Sequence, residues 1–291
     1  NAVTKMTATQ AANVKAIADM GASTYALETA TGTSDVLSLT LGTGLTTAES
    51  TEIGALTATG FETINLKGNA GPTASVAGKL SVVDSFIAAQ ATAVNMTGTA
   101  MTLSNLALTK AAVFDGTALT GNGDTVSLGL TVAGNAVAGS TIKGSEVKDS
   151  LTAGAEGSTY NGNGGADLFI TTTALLAADG TTDLVMAGGA GTDTIQLTTF
   201  SAVTDLQFTN VSGMEKLVLD AVSTATTVVG AVLGTNAKTA FADGVTVTSG
   251  AVADGTAYSF ASGLYDKGVT LTLVASGDAA DNNAAPSASI A

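Results

Sequence analysis

The chain has 291 residues and a net charge of −14, from 24 acidic groups against ten lysines; it holds no Cys, His, Trp or Arg, and Ala and Thr make up about a third of it. Those absences exclude disulfides, thiolate and imidazole metal sites, and histidine-based nucleophilic catalysis. An acidic chain without Arg is a poor match for phosphate backbones, so no nucleic-acid partner is expected. The metal chemistry that fits best is a hard cation held by oxygen, calcium above all. An apolar fraction of 45% argues for a folded chain, with a thin core because only 4% of residues are aromatic. No run of eighteen apolar residues occurs, so no membrane span is expected. The two ends, Asn1 without Met and the Ala- and Ser-rich close at Ala291, fit a processed form or an internal piece of a longer chain.

In chain order, residues 8–20 carry the clearest helical pattern. Ala11, Val14, Ile17 and Ala18 recur at helical spacing, Thr7 or Thr9 can cap the start, and Gly21 is a natural stop. Strands follow. In Val36–Leu41 the alternation puts Leu37, Leu39 and Leu41 on one face. Similar patterns occupy 61–66, 94–97, 101–108, 125–132, 193–197, 216–219, 244–248 and 269–274, where Thr and Val suit a pleated, half-buried surface. Residues 174–178 fit a helical turn, and 281–286 a linker. Many short strands separated by Gly, Asn, Asp and Ser predict a sandwich or a solenoid, and the small side chains favour a narrow solenoid whose interior admits only Ala, Val, Leu and Thr.

The segment 144–197 carries the chemistry. Residues 188–196 read Gly-Gly-Ala-Gly-Thr-Asp-Thr-Ile-Gln and fit the nonapeptide G-G-x-G-x-D-x-U-x, U being apolar, at every defined position. Residues 162–170 fit at all but the second. Residues 144–152 keep Gly144, Asp149 and Leu151. Between them 153–161 keeps Gly154 and Tyr160 but has Ser158 in place of Asp, and 178–186 is a weak copy with Asp183 and Val185. Two nonapeptides make one coil of eighteen residues, so Asp149 and Asp167 are expected on one edge, with Leu151, Tyr160 and Phe169 pointing inward. An insertion at 171–177 must absorb the longer interval from Asp167 to Asp193. Glycine supplies the positive φ that such turns need. Turn carbonyls and Asp carboxylates together make an oxygen cage of the size calcium prefers.

This segment resembles the repeats-in-toxin calcium-binding proteins of Gram-negative bacteria, which leave the cell by type I secretion. The resemblance implies that the first and third residues of each nonapeptide ligate through their carbonyls and the Asp through its side chain. Carried over, the metal ligands are Gly162, Gly164 and Asp167, then Gly188, Ala190 and Asp193, with Asp149 and Asp183 from the degraded copies. A second likeness joins two distant phrases, Thr59-Gly60-Phe61-Glu62-Thr63-Ile64-Asn65-Leu66 and Ser212-Gly213-Met214-Glu215-Lys216-Leu217-Val218-Leu219. Such phrases in a Thr/Ala/Gly-rich chain look like bacterial surface-layer proteins and large secreted adhesins. Asp35, Asp115 and Asp124 read as ordinary turn residues, and Glu62 and Glu215 as charges on a strand edge.

The expected fold is therefore mostly β, an elongated parallel β-solenoid or β-roll with calcium-binding turns and a short N-terminal helix. Three regions are expected: 1–143, β-rich with helix 8–20; 144–197, the calcium-binding roll; and 198–291, β-rich and continuing into further chain. The expected function is an extracellular structural protein of the bacterial surface, assembling with copies of itself into a layer or filament as calcium binds, with cell-surface polysaccharide as a further partner. Two alternatives stand: an adhesive or carbohydrate-binding module of a large secreted adhesin, and the accessory roll of a secreted hydrolase. No enzyme is expected, because sugar-cleaving carboxylate pairs normally work beside the aromatic platforms and basic residues that are scarce here.

Overall fold

A computed structural model describes residues 1–42, 50–68, 80–122, 127–133, 137–176, 183–198, 203–219, 229–251, 257–260, 267–274 and 287–290. The chain forms two compact units, Asn1–Gly165 and Ala166–Ala291, and it is mostly β, built from long parallel sheets.

In the first unit the chain alternates between two sheets. Ala2–Met6, Met20–Leu27, Thr51–Thr59, Ser81–Val83, Met101–Ser104, Leu128–Ala133 and Lys148–Thr152 follow one another in the first. Val14–Ala16, Val36–Leu41, Thr63–Gly68, Ala93–Gly98, Val113–Leu119, Thr141–Lys143 and Thr159–Gly165 make the second. Within each sheet these strands pair in parallel with the next one given, as Val36–Leu41 does with Thr63–Gly68, and two short strands, Phe86–Ile87 and Leu106–Ala107, join the first sheet beside Thr51–Thr59. The interval varies. Thr141 pairs with Thr159, eighteen residues on, whereas Asn65 meets Asn95 thirty residues on. The eighteen-residue interval expected for two nonapeptides is present between Thr141 and Thr159, and longer intervals stand beside it.

The second unit alternates likewise. Leu168–Thr171, Thr194–Leu197, Lys216–Leu219, Val245–Ala251 and Val269–Val274 pair in sequence. The intervening strands first pair as Val185–Gly191 with Val211–Ser212. They continue as a separate three-stranded sheet of Val229–Leu233, Ala257–Phe260 and Ser287–Ile290. The insertion after Thr171 does absorb the longer interval, since Leu168 still stands opposite Thr194.

The core follows from the alternation. Leu37, Leu39 and Leu41 are buried, as are Leu151, Tyr160 and Phe169. The interior is not confined to small residues. Every described phenylalanine is buried, with Phe86 edge-on to Phe114 and Phe208 edge-on to Phe241, ring centroids 6.4 and 5.4 Å apart. A chain with few rings gains most by placing each of them inside, because each removes a large apolar area from water.

The helix is shorter than its pattern. It runs only from Ala8–Ala11, opened by a capping box between Thr7 and Gln10. Val14–Ala16 leaves it to pair with Leu39–Leu41, and Ile17 is 68% exposed. Pairing with a ladder already in place outweighs an Ala-rich helical preference, which is weak beyond one turn. The strand expected over 101–108 is split at Asn105, which turns with φ 46° and donates its amide to the Asp84 carbonyl at 2.8 Å. The predicted turn at 174–178, the weak repeat at 178–186 and the strand at 125–132 lie partly outside the described residues. The linker 281–286 and Asp124 lie wholly outside them.

Candidate metal centre

The nonapeptide's first glycine and its aspartate, five residues apart, are built together in the same way in each unit. In the first unit the Asp149 carboxylate folds back beneath Gly144. A Cβ on Gly144 would strike both Asp149 Oδ2 and the Gly162 carbonyl. In the second unit the Asp193 carboxylate lies beneath Gly188, where a Cβ would strike Gly213 O and Asp193 Oδ2. Glycine is therefore required by close approach: the missing side chain leaves room for a carboxylate and for the carbonyl of the neighbouring strand. Around the second turn, Gly189 and Gly191 also hold φ of 110° and 141°, open to glycine and strained for other residues.

The two carboxylates differ in what they hold. Asp149 is fully buried. Its Oδ1 accepts from the Leu130 N–H and from Ser145 Oγ at 2.9 Å, and its Oδ2 accepts from the Ser145 N–H at 2.6 Å. Burial pushes its carboxyl up to about 6, against these donors and with help from the charge of Glu146. Asp193 is also fully buried. Its Oδ1 accepts from the Asp167 N–H at 2.8 Å, but its Oδ2 has no hydrogen-bond partner. Burial raises its carboxyl, the Asp167 N–H opposes that, and the charge of Glu215 adds to it.

Glu215 touches this site directly. Its Oε2 accepts from the Asp193 N–H at 2.6 Å. The Asp193 carbonyl in turn accepts from the N–H groups of Glu215 and Lys216, at 3.0 and 2.9 Å. Asp167, Asp193 and Glu215 thus form a ladder in which each later carboxylate caps the N–H of the acidic residue before it. Neither Glu215 nor Gly213 stands in a nonapeptide. The available signal was the phrase they share with residues 59–66.

The remaining candidates are placed as follows. Gly162 and Gly164 belong to the first unit and Asp167 to the second. The Gly164 N–H donates to the Ser145 carbonyl at 3.2 Å, and its α-carbon faces the Glu146 carboxylate. Ala190 is exposed at the end of Val185–Gly191. Asp183 precedes that strand and accepts from the Asn210 amide at 3.1 Å. Among the described residues no group of three or more carboxylates stands close enough to enclose an ion. An ion here would need backbone carbonyls and water as well, which is ordinary for calcium. The fit at Asp193 is good on one count, a buried oxygen without a partner beside a carbonyl. Among the described residues no helix is long and apolar enough to cross a membrane.

Comparison with known proteins finds no matching family model, no matching curated protein and no matching solved structure.

Proposed function

We propose that this chain is a structural protein of the bacterial cell surface, a parallel β-solenoid of the β-roll kind that binds calcium at its acidic turns and assembles with copies of itself into a layer or filament. The observation that carries the reading is Asp193 Oδ2, buried beside the Gly213 carbonyl with no hydrogen-bond donor. Burying a charged oxygen without a partner is costly, and either a proton or a cation removes that cost. In a chain whose 24 acidic groups outnumber its ten lysines, calcium is a fitting counter-charge. Asp193 and the Gly213 carbonyl would hold it, with Gly188 and Ala190 as the carbonyl donors the nonapeptide resemblance implies. Bound calcium supplies positive charge to a crowded acidic turn, so its binding energy adds to folding energy. Asp149, whose oxygens already accept from three donors, serves the turn as an anionic cap.

A second reading is favoured by one feature of the first unit. A cavity of about 250 Å³ opens over the second sheet between the row Ser38, Asn65, Asn95 and the row Thr40, Lys67, Thr97. The Asn95 amide donates to Asn65 at 2.9 Å and the Asn65 amide to Ser38 at 3.2 Å. The exposed lining of this cavity is mostly aliphatic, with the Asn and Ser groups offering hydrogen bonds, a mix that suits the faces and hydroxyls of a polysaccharide, as an adhesive module would need.

The test is circular dichroism and electron microscopy of the purified chain in millimolar calcium and then in chelator. Sheets or filaments that disappear on chelation, with loss of β signal, are expected. A β signal and a monomer indifferent to both, together with a reproducible glycan-array signal, would replace this reading with the second.

A further inference from the structure

The Asp193–Glu215 arrangement occurs a second time, in the other unit and outside any nonapeptide. The Asp35 N–H donates to Glu62 Oε2 at 2.9 Å, as the Asp193 N–H donates to Glu215 Oε2. The Asp35 carbonyl accepts from the N–H groups of Glu62 and Thr63, at 3.0 and 3.1 Å, as the Asp193 carbonyl accepts from Glu215 and Lys216. Asp35 Oδ2, like Asp193 Oδ2, is enclosed and has no hydrogen-bond partner. A glycine packs its bare α-carbon against each carboxylate, Gly32 at Asp35 and Gly188 at Asp193, and a Cβ on Gly32 would lie 2.9 Å from Asp35 Oδ2. The surrounding sequences differ: Gly32-Thr33-Ser34-Asp35 spaces its glycine three residues before the Asp, where the nonapeptide uses five.

The geometry points to a second hard-cation site at Asp35 and Glu62, taking a divalent ion of calcium's class through carboxylate oxygen. Two facts argue for a ligand here beyond structure alone. The enclosed Asp35 oxygen has been removed from water without a donor in exchange. Glu62 places a second carboxylate against the same turn, on the Asp35 N–H. The inference goes beyond the nonapeptide reading and rests on Asp35's own atoms.

The experiment counts calcium bound per chain by equilibrium dialysis on the full chain, for the wild type and for D35N, D193N and E62Q, with circular dichroism as the check on folding. D35N is expected to bind one ion fewer than the wild type and D193N independently one fewer. E62Q retains an oxygen for the Asp35 N–H and loses only charge; it is expected to keep the count and weaken one site about tenfold. A folded D35N that binds the wild-type number overturns the inference. If D35N does not fold, an E62Q affinity equal to wild type overturns it alone. A count lowered by D35N but not by D193N would leave this site standing and remove the nonapeptide one. No binding by the wild type removes both.

Discussion

Asp149 sets the sharpest condition at the level of one residue. Its carboxyl is raised to about 6 from an ordinary 3.8, chiefly by burial. The folded state therefore holds a proton there that the unfolded chain releases between those two values. The sign follows: the penalty for ionising Asp149 is fully present above about pH 6 and gone below about pH 3.8, so this group makes the fold more stable as pH falls, by about 3 kcal/mol across the window. Urea unfolding of wild type and D149N at several pH values between 7 and 4 should show a steeper pH slope in the wild type. D149N should also be less stable at every pH, because an amide nitrogen would face one of the donors from Leu130 and Ser145. Equal slopes in the two proteins would contradict the burial argument. None of this was legible at Asp149 itself. The nonapeptide pattern marks the residue, but the oxygen acceptors it supplies are used by a strand nineteen residues earlier.

Among the elements, the short helix Thr235–Ala240 depends on a residue distant in sequence. Asp205 accepts from Gly234 N–H at 2.7 Å, Asn236 N–H at 3.0 Å and Ala237 N–H at 2.9 Å. These are the amides that a helix start leaves without partners, and Gly234 has no side chain to serve them. Asp205→Ala should cost about 2 kcal/mol, read as a shift of the urea midpoint, and Asp205→Asn should cost less because one acceptor oxygen remains. Strands were easier to read than caps. Leu37, Leu39 and Leu41 declare their strand by alternation, and Lys216–Leu219 falls where its pattern put it. The pattern at 8–20 misled because spacing reports a face and not the partner for that face, and the partner here is the strand Val36–Leu41. The carboxylate ladders were harder still. Their partners lie 22 to 27 residues apart, and only the echo between residues 59–66 and 212–219 hinted that two glutamates do the same work.

For the whole molecule, charge governs the response to solution conditions. Ten lysines stand against 24 acidic groups, and the one described ion pair, Lys143 with Asp115 at 3.2 Å, is partly exposed and contributes little. Self-repulsion should therefore dominate at low salt. Raising sodium chloride from about 10 mM to about 150 mM shortens the screening length from about 30 Å to about 8 Å and should raise Tm. Calcium should raise it further than an ionic-strength match of sodium chloride. Identical effects of the two salts would reduce calcium to a screening ion. The mostly β, parallel character was expected from the spacing of short strands, whereas the differing intervals between paired strands were not. Turn residues mark where a strand stops and do not say how much chain precedes the next rung.

Those unequal coils have a mechanical consequence. Within the first unit each strand is bonded only to the rungs before and after it, so tension on the chain should detach the rungs one at a time. The length released at each event is set by the interval between paired residues, from eighteen between Thr141 and Thr159 to thirty-three between Met20 and Ile53. At about 3.5 Å per extended residue these are steps of about 6 nm and about 12 nm. A force–extension trace of this protein would then be an uneven staircase, its treads recording the order of the coils along the sequence.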